Sequence, residues 1–386
     1  MIAAGRAVPL AAPVLDRRFF PVTAGWAYCN HAAVGPLPVG TRDAVLSVLD
    51  AQMRDGSAGI LDVEANLESV RAQTAHAIGA SSEEVAFLRS TSDGALVVAN
   101  GLAWRPGDEI VMSDDEFGAN AYPWLNLRDR GVRIRLVRAP QTRLTAEILE
   151  RMTSERTRLV AVSSVGFLDG YRHDLKALGA FCRERRILFA VDAMQAFGYL
   201  PLDVRACNID FCYFGVAKWL LSPQGLSVLF VRADLIDALR PSHCSWRSVK
   251  QPMAFLDYSQ ELAAGARRFE GGTINYPALM GFSASLRLLT SAGLDAIAAH
   301  VLALNERLIE RVQAAGVTVV SDRSPSARSG ILLLRPPRAS VQVLSERASR
   351  AKVGITVRDS GVRVSPHGYN DASDMDAVAD VLTAQT

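Results

Sequence analysis

Lysine is rare in this sequence, although basic residues are not. Of the 42 lysines and arginines, 38 are arginines, which leaves Lys176, Lys218, Lys250 and Lys352. Arginine supplies positive charge almost everywhere else in the chain. A retained lysine therefore points to chemistry that arginine, which stays protonated, cannot perform.

Cysteines are few as well, and none of them form a C-x-x-C pair. They are odd in number and widely separated, at Cys29, Cys182, Cys207, Cys212 and Cys244. This pattern argues against a zinc ribbon or a disulfide framework, and it is typical of small buried residues in a reducing compartment. We therefore expect a cytoplasmic protein without a metal site.

Long apolar runs and a strong charge imbalance are also absent. No apolar run approaches the ~20 residues that span a bilayer. Residues 1–20 lack the charged start and compact apolar centre of a signal peptide. The formal net charge of +2 is too small to indicate binding to nucleic acid or to an anionic membrane surface. The expected ligand is a small molecule.

The chain does contain enough apolar residues for two domains, since 49% of its 386 residues are hydrophobic. Segment 187–225 includes two short apolar runs, ILFAV and DFCYFGVA, and each ends at one charged residue. Such runs predict buried strands of a mostly parallel sheet. Ligands of these sheets bind outside the carboxyl ends of the strands. Asp192 and Lys218 are therefore predicted to point into one crevice.

Asp192 and Lys218 have a chemical and a structural explanation. A desolvated lysine can lose its proton and attack a carbonyl group to form an imine. A carboxylate at the end of a buried strand needs a cation or hydrogen bonds. Alternatively, the lysine extends to solvent from a strand end and the aspartate caps the next helix. These two residues alone favour neither explanation.

The neighbouring residues resemble a known signature. VDAMQAFG (191–198) and KWLLSPQG (218–225) are similar to the cofactor segment of the class V aminotransferases, fold type I enzymes that use pyridoxal 5'-phosphate (PLP). That family includes cysteine desulfurases, kynureninases and isopenicillin-N-epimerase-like proteins. The resemblance implies that Lys218 binds PLP covalently. It also implies that Asp192 pairs with the pyridine nitrogen and that Gln195 donates to the ring hydroxyl.

Two earlier segments extend the resemblance to the rest of the cofactor. In EEVAFLRSTSDGALVVANGL (83–102), a predicted strand precedes a helix whose first turn contains Thr91 and Ser92. Exposed N–H groups and hydroxyls there suit a phosphate, and the position matches the family's phosphate loop. In EIVMSDDEFGANAYPWLNL (109–127), the resemblance places Phe117 over the PLP ring. The structural alternatives are an ordinary helix cap and a core phenylalanine.

Two further segments resemble the family's substrate site. YCNHAAVGPLP (28–38) is similar to its N-terminal substrate loop, which places His31 towards the site. VRVSPHGYN (362–370) is similar to a segment whose arginine, here Arg363, binds the substrate α-carboxylate. Without the resemblance, His31 is more simply a structural side chain and Arg363 a member of a surface ion pair.

The sequence departs from the family pattern near the phosphate. The family often has serine and histidine where this chain has Gly215 and Ala217. We therefore expect phosphate binding to depend on the 91–92 loop and on a second chain. RRFEGGTINYPALMGFSASLRLL (267–289) resembles the segment whose threonine reaches the partner's phosphate. That role falls to Thr273 in a homodimer.

These motifs predict an α/β protein of the PLP-dependent transferase fold type I. We expect an N-terminal arm (1–20) and a large PLP-binding domain with a mostly parallel, seven-stranded sheet (21–240). A small α+β C-terminal domain with the interface segment should follow (241–386).

The resemblance implies an enzyme that acts at the α-carbon of an amino acid or amino-acid conjugate, with Lys218 as the base. Transamination, epimerisation, β-elimination and decarboxylation share the same beginning, and the motifs do not separate them. Cysteine desulfurases need a nucleophilic cysteine just before the carboxylate-binding arginine, and KVGITVRDSG (352–361) has none.

Two short segments, SWRSV (245–249) and YPW (122–124), fit the isopenicillin-N-epimerase-like proteins better than the desulfurases. Some of those proteins are C–S lyases or decarboxylating deaminases in natural-product pathways. The contrasting class is a non-catalytic binding or regulatory protein of the same fold. Gly215 and Ala217 would favour it, whereas the intact Asp192, Gln195 and Lys218 argue against it.

Overall fold

A computed structural model describes residues 12–139, 143–337 and 339–384. Most of the predicted arm therefore lies outside the described residues. The described residues form thirteen strands, which are β1 (Ala27–Tyr28), β2 (Val85–Leu88), β3 (Glu109–Ser113), β4 (Arg133–Val137), β5 (Thr157–Ser163), β6 (Leu188–Asp192), β7 (Phe211–Gly215), β8 (Ser227–Val231), β9 (Thr318–Val319), β10 (Leu332–Arg335), β11 (Val353–Gly354), β12 (Thr356–Arg358) and β13 (Gly361–Val364).

The same residues form eleven α-helices, which are α1 (Val39–Asp55), α2 (Ser57–Glu64), α3 (Leu67–Ala77), α4 (Thr91–Gly101), α5 (Gly118–Leu125), α6 (Ala146–Met152), α7 (Leu175–Arg185), α8 (Tyr276–Ala292), α9 (Leu294–Gln313), α10 (Val341–Arg350) and α11 (Ala372–Thr383). Within the described ranges, no helix by itself has the length and apolar character needed to cross a membrane. Helices α8 and α9, which meet at 78°, reach that threshold only as a pair.

Strands β2 to β8 form one seven-stranded sheet in the order β2-β8-β7-β6-β5-β3-β4. Strand β8 is antiparallel to its neighbours β2 and β7, and every other neighbouring pair is parallel. The predicted mostly parallel sheet of seven strands is confirmed.

Both faces of this sheet are buried, which explains why its strands read as continuous apolar runs. In β6, Phe189 joins the hydrophobic cluster on one face and Ala190 the cluster on the other. In β7, Phe214 and Tyr213 divide in the same way. A strand covered on both sides needs apolar residues at every position rather than at alternate ones.

The predicted polar residues lie at or just beyond the carboxyl ends of the central strands. Strand β6 ends at Asp192, and Ser163 at the end of β5 lies directly opposite it in the parallel register. Strand β7 ends at Gly215, so Lys218 lies in the loop three residues beyond the strand rather than at its end.

The C-terminal part of the chain has the α+β content that the sequence predicts. Strands β12, β13, β10 and β9 form a four-stranded antiparallel sheet in that order. Residues from α9, α10 and α11 pack with this sheet in a separate hydrophobic cluster. The division of the chain into domains at residue 240 stays a prediction.

The helical region after the first strand differs from the prediction in one respect. Apolar spacing predicts two helices between Thr41 and Gly79, divided at Gly56 and Gly59, whereas the structure has three. Gly56 is a true break with φ +56°, a conformation that favours glycine. Gly59 instead lies inside α2, where a Cβ atom would lie 2.5 Å from the Ala51 carbonyl oxygen. Its role is close packing against α1.

Candidate active site

A cavity of about 310 Å³ lies at the carboxyl ends of β5, β6 and β7, with β13 of the second sheet on its far side. Six of the nine predicted site residues line it, namely Thr91, Phe117, Asp192, Gln195, Lys218 and Arg363. The other three, His31, Ser92 and Thr273, do not.

Asp192 is a buried carboxylate at the floor of the cavity, with 4% of its surface exposed. Its Oδ1 atom accepts a hydrogen bond from the backbone N–H of Met194 at 2.8 Å. Burial raises the pKa of Asp192 to about 6, while Met194 and the nearby charge of Lys218 act in the opposite direction. A cation placed against this carboxylate would relieve the cost of its burial.

Lys218 is half-buried, and burial lowers the pKa of its amine to about 8. Arg363 and Arg358 lower this pKa further, and Asp192 raises it. The Nζ atom lies 5.5 Å from the centroid of the Phe117 ring. A substantial fraction of the amine is therefore unprotonated near pH 8 and able to act as a nucleophile or base.

Close backbone packing fixes the loop that carries Lys218. The N–H of Gly35 donates to the carbonyl oxygen of Ala217 at 2.9 Å. A Cβ atom on Gly35 would lie 2.2 Å from the carbonyl oxygen of Lys218, which is too close for any other residue without a shift of the backbone. The predicted substrate loop therefore also supports the lysine loop.

The cavity wall near Thr91 explains one departure from the family pattern. Thr91 begins α4, and the Ser90 side chain caps that helix by accepting from the N–H of Asp93 at 3.1 Å. A Cβ atom on Gly215 would lie 3.0 Å from Cε of Met194 and 3.1 Å from Oγ1 of Thr91. Met194 thus fills the space that a serine at position 215 would need.

Phe117 precedes α5 at the edge of the cavity and is 49% exposed. Its ring packs edge-to-face against Phe167, with 5.3 Å between the ring centroids. Phe117 is thus not the core phenylalanine of the structural alternative. Its exposed ring leaves an apolar surface that a flat cofactor could cover.

Glu116 is a site residue that sequence reasoning missed. Although the residue is partly exposed, its carboxylate accepts from the Ser163 N–H at 2.7 Å, from the Ser163 hydroxyl and from Nδ2 of Asn120 at 2.9 Å. Burial of the carboxylate raises its pKa to about 7, and the charge of Asp192 adds to the shift. The only sequence signal was its position immediately before Phe117.

Gln195 and His31 are held by protein groups. Nε2 of Gln195 donates to the Ala32 carbonyl at 3.0 Å, and its Oε1 accepts from the Trp219 indole at 2.9 Å. One N–H of this amide stays available to the cavity. Both ring nitrogens of His31 are occupied, Nδ1 by the Ser365 carbonyl at 2.9 Å and Nε2 by the Tyr369 hydroxyl at 3.0 Å.

Burial lowers the pKa of His31 well below its usual value, so the ring is neutral. The neighbouring Ala32 and Ala33 line the cavity, and His31 itself lies behind that wall.

Arg363 projects from β13 into the cavity and is 4% exposed. Nη1 donates to the Phe167 carbonyl at 2.6 Å, whereas Nε is buried and has no hydrogen-bond partner. Burial, together with the charge of Arg358, lowers the pKa of Arg363 to about 10. An unsatisfied buried N–H of a cation is a binding position for a carboxylate.

Ser92 and Thr273 are placed differently from the other predicted residues. Ser92 lies in the first turn of α4 beside Thr91, without lining the cavity. Thr273 is exposed and lies in a separate cavity of about 150 Å³ with Arg89 and His243. Within one chain, Thr273 therefore does not reach Lys218.

Comparison with known proteins identifies the family. The model of the family "Aminotransferase class-V" matches residues 51–378. The chain is a class V aminotransferase family member. Members of this family are PLP-dependent enzymes, so the cofactor is PLP and the chain is an enzyme. The alternative of a non-catalytic protein of this fold is not supported.

Several relatives carry the name cysteine desulfurase. One from Salmonella dublin is 31% identical, covering 79% of this chain and 77% of the relative. A probable cysteine desulfurase of Methanothermobacter thermautotrophicus is 29% identical, covering 95% and 96% of the two chains.

Two solved structures share the fold of this family member. A cysteine desulfurase from Thermococcus onnurineus NA1 has a TM-score of 0.87 at 23% identity, covering 95% and 96% of the two chains. The cystine C–S lyase C-DES, described in complex with cysteine persulfide, has a TM-score of 0.87 at 22% identity, covering 95% and 99%. At these identities the likeness confirms fold type I.

The residues of the cavity fit PLP. Asp192 offers a buried carboxylate for a protonated ring nitrogen, Lys218 offers a desolvated amine for the aldehyde, and Thr91 offers a hydroxyl at the start of a helix for the phosphate. Among the described residues, no cluster of three or more histidine, cysteine, aspartate or glutamate side chains could hold a metal ion.

Proposed function

We propose that this enzyme is a C–S lyase, which removes the α-proton of a cysteine or cysteine conjugate and breaks its Cβ–S bond. One observation carries the proposal. A desolvated lysine and an arginine with a free buried N–H share a cavity that no cysteine of the chain lines. Elimination needs a base and a carboxylate anchor, whereas the transfer of sulfur to the protein needs a thiol.

The positions of the cysteines support this choice. Cys29, Cys182, Cys207 and Cys212 are buried, and Cys244 is exposed outside the cavity. The loop between β12 and β13, just before Arg363, has no cysteine. Relatives named cysteine desulfurase and a fold neighbour named cystine C–S lyase support sulfur-containing amino acids as the substrate class.

Each residue has a separate task in the proposed reaction. Arg363 binds the α-carboxylate through its free Nε, which fixes the orientation of the α-carbon. Lys218, once unprotonated, takes the α-proton and carries it within the cavity. Asp192 holds a proton on the ring nitrogen of the cofactor, and PLP, when bound, withdraws electrons from the α-carbon.

The proposed overall reaction is balanced by one molecule of water. A conjugate of cysteine and water yield a free thiol, pyruvate and ammonium. The Cα–H and Cβ–S bonds break, and the departing sulfur takes a proton. Cβ then gains a proton to become the methyl group of pyruvate, and water replaces the amino group at Cα, which leaves as ammonium. No oxidant or reductant is needed.

The test is an assay of purified, PLP-loaded protein with cysteine, cystine, cysteine S-conjugates and alanine. Pyruvate should appear in equal amounts with the sulfur product, which is sulfide from cysteine, cysteine persulfide from cystine and a thiol from the S-conjugates. The Lys218→Ala variant should produce neither. Keto acid that forms only when a second keto acid is supplied, without thiol, would identify a transaminase and overturn the lyase proposal. An altered stereocentre without cleavage would identify an epimerase.

The assembly and location of the enzyme are also part of the proposal. A homodimer would place the exposed Thr273 of one protomer at the PLP phosphate of its partner. The five free cysteines support a reducing, cytoplasmic location. The likeness of 245–249 to isopenicillin-N-epimerase-like proteins, and with it a role in a natural-product pathway, stays a prediction.

A further inference from the structure

We infer that the cavity binds an amino acid with a second anionic group, a carboxylate at the far end of its side chain, through Arg358. This inference rests on the proposed function, because it takes Arg363 as the site of the α-carboxylate. Arg358 was not among the residues predicted from the sequence, yet it lines the same cavity.

The two arginines come from one hairpin and flank one residue. Arg358 ends β12, Arg363 lies in the antiparallel strand β13, and Arg358 pairs with Gly361 in the register. Nη1 of Arg363 donates to the Phe167 carbonyl, and the guanidinium carbon of Arg358 lies 6.0 Å from the centroid of the Phe167 ring. Arg363 is buried and Arg358 is exposed, so one cation lies inside the cavity and the other at its mouth.

Apart from the Phe167 ring, the side chain of Arg358 has no partner among the described residues. Among the described parts of the chain, its side chain makes no hydrogen bond or ion pair, not even with its neighbour Asp359. By contrast, Arg143 forms ion pairs with both Asp115 and Asp169. The charge of Arg358 is felt inside the cavity, because it lowers the pKa of Arg363.

The cavity wall contains one more cation than the proposed roles of its residues require. The wall contains Lys218, Arg358 and Arg363 as cations and Asp192 as its anion. Asp192 faces the ring nitrogen, Lys218 is the base, and Arg363 takes the α-carboxylate. The phosphate is assigned to the Thr91 side. Arg358 is therefore matched by an anion that the substrate brings.

The aromatic residues of the wall indicate which part of the substrate lies between its α-carboxylate and its second carboxylate. Phe117 and Phe167 pack edge-to-face at 5.3 Å along the wall, and Phe167 lies between the two arginines. An apolar surface in this position suits methylene groups or a thioether. The ligand class is thus an α-amino acid with a short apolar side chain that ends in a carboxylate, such as a carboxyalkyl conjugate of cysteine.

The experiment measures binding without turnover. Calorimetry with PLP-loaded protein compares succinate, glutarate and adipate with the monocarboxylates of equal length, butyrate, valerate and hexanoate. We expect at least one diacid to bind more tightly than its monoacid. Arg358→Ala should reduce that preference about 5- to 10-fold, the range for one exposed charge-assisted contact. Arg358→Lys, which keeps the charge, should retain part of it.

Arg350→Ala is the matched control, since Arg350 is exposed at the end of α10 and does not line the cavity. It removes the same charge and should leave the preference unchanged. Equal preferences in wild type and Arg358→Ala, or no preference in wild type, would overturn the inference. A failed lyase assay beside an Arg358-dependent preference would remove the proposed reaction only.

Discussion

Replacement of Glu116 by glutamine should change how the stability of the protein depends on pH. The carboxylate of Glu116 is held by two donors of Ser163 and one of Asn120. Its pKa is raised from 4.5 to about 7, mainly by burial. Between these values the folded state keeps a proton that the unfolded state has lost, so this group makes stability fall as the pH rises.

The size of the effect follows from the shift. One pKa unit corresponds to 1.36 kcal/mol, so a full shift of this kind would cost about 3 kcal/mol above pH 7. Because Glu116 is partly exposed, we expect about 2 kcal/mol between pH 5 and pH 8. The Glu116→Gln side chain cannot ionise and should avoid this loss. It should lose about 1 kcal/mol at every pH, because its amide nitrogen cannot accept from Asn120.

The assay is urea unfolding of the protein without cofactor at pH 5, 6, 7 and 8. Other groups also make stability depend on pH in this range, including Asp192, whose pKa is raised to about 6, and His367, whose pKa is lowered from 6.5 to about 4. Their contributions are largely shared by both proteins and cancel when the variant is compared with wild type. The variant should gain about 2 kcal/mol relative to wild type from pH 5 to pH 8.

Glu310→Gln is the control, since Glu310 is exposed on α9. Its difference from wild type should not vary with pH. A constant difference for Glu116→Gln over the same range would show that the Glu116 carboxylate ionises normally. In that case its proximity to Asp192 would have no part in setting the charge of the cofactor site.

Three further predictions concern the cofactor. Borohydride reduction of PLP-loaded protein, followed by peptide mapping, should place the pyridoxyl group on Lys218, and a label on any other lysine would contradict the assignment. Asp192→Asn should retain PLP but lose most turnover, because an amide cannot hold a proton on the ring nitrogen; turnover near that of wild type would make Asp192 structural. Gly35→Ala should weaken PLP retention, because the added Cβ atom would displace the Lys218 carbonyl. Gly40→Ala should not, because a Cβ atom there meets nothing within 4 Å. Equal retention of PLP in both variants would contradict the proposed support of the lysine loop by Gly35.

The sheet could be predicted because burial on both faces leaves a direct trace in the sequence. The apolar runs that form β6 and β7 have no polar interruption. Asp192 at the end of β6 and Lys218 after β7 are charged residues that catalysis explains better than folding does. Helix breaks were harder to predict. Gly56 marks one break in the region after β1, but the break before α3 falls at Asn66, which has no glycine or proline beside it.

The missed and misplaced site residues depend on contacts between distant segments. Glu116 is held by Ser163, 47 residues away, and the ring of His31 is held by Ser365, 334 residues away. A single sequence does not reveal such pairs. Arg358 was missed for the opposite reason. Among the described residues its side chain forms no hydrogen bond or ion pair, and the β12–β13 hairpin places it at the cavity.

Met194 connects the departure at Gly215 with the proposed dimer. The Gly215 N–H lies 3.3 Å from the sulfur of Met194, and this thioether fills the space beside Thr91. The Met194 thioether, a weak acceptor, therefore occupies the place from which a serine hydroxyl would donate to the phosphate. In the proposed dimer, the partner's Thr273 would supply much of the missing hydrogen bonding, a contact to a charged group that is worth about 1.5–3 kcal/mol. Thr273→Ala chains should lose PLP on dialysis, and mixing them with Lys218→Ala chains should restore one complete site per mixed dimer. If mixed dimers form without recovered activity, Thr273 does not act across the interface.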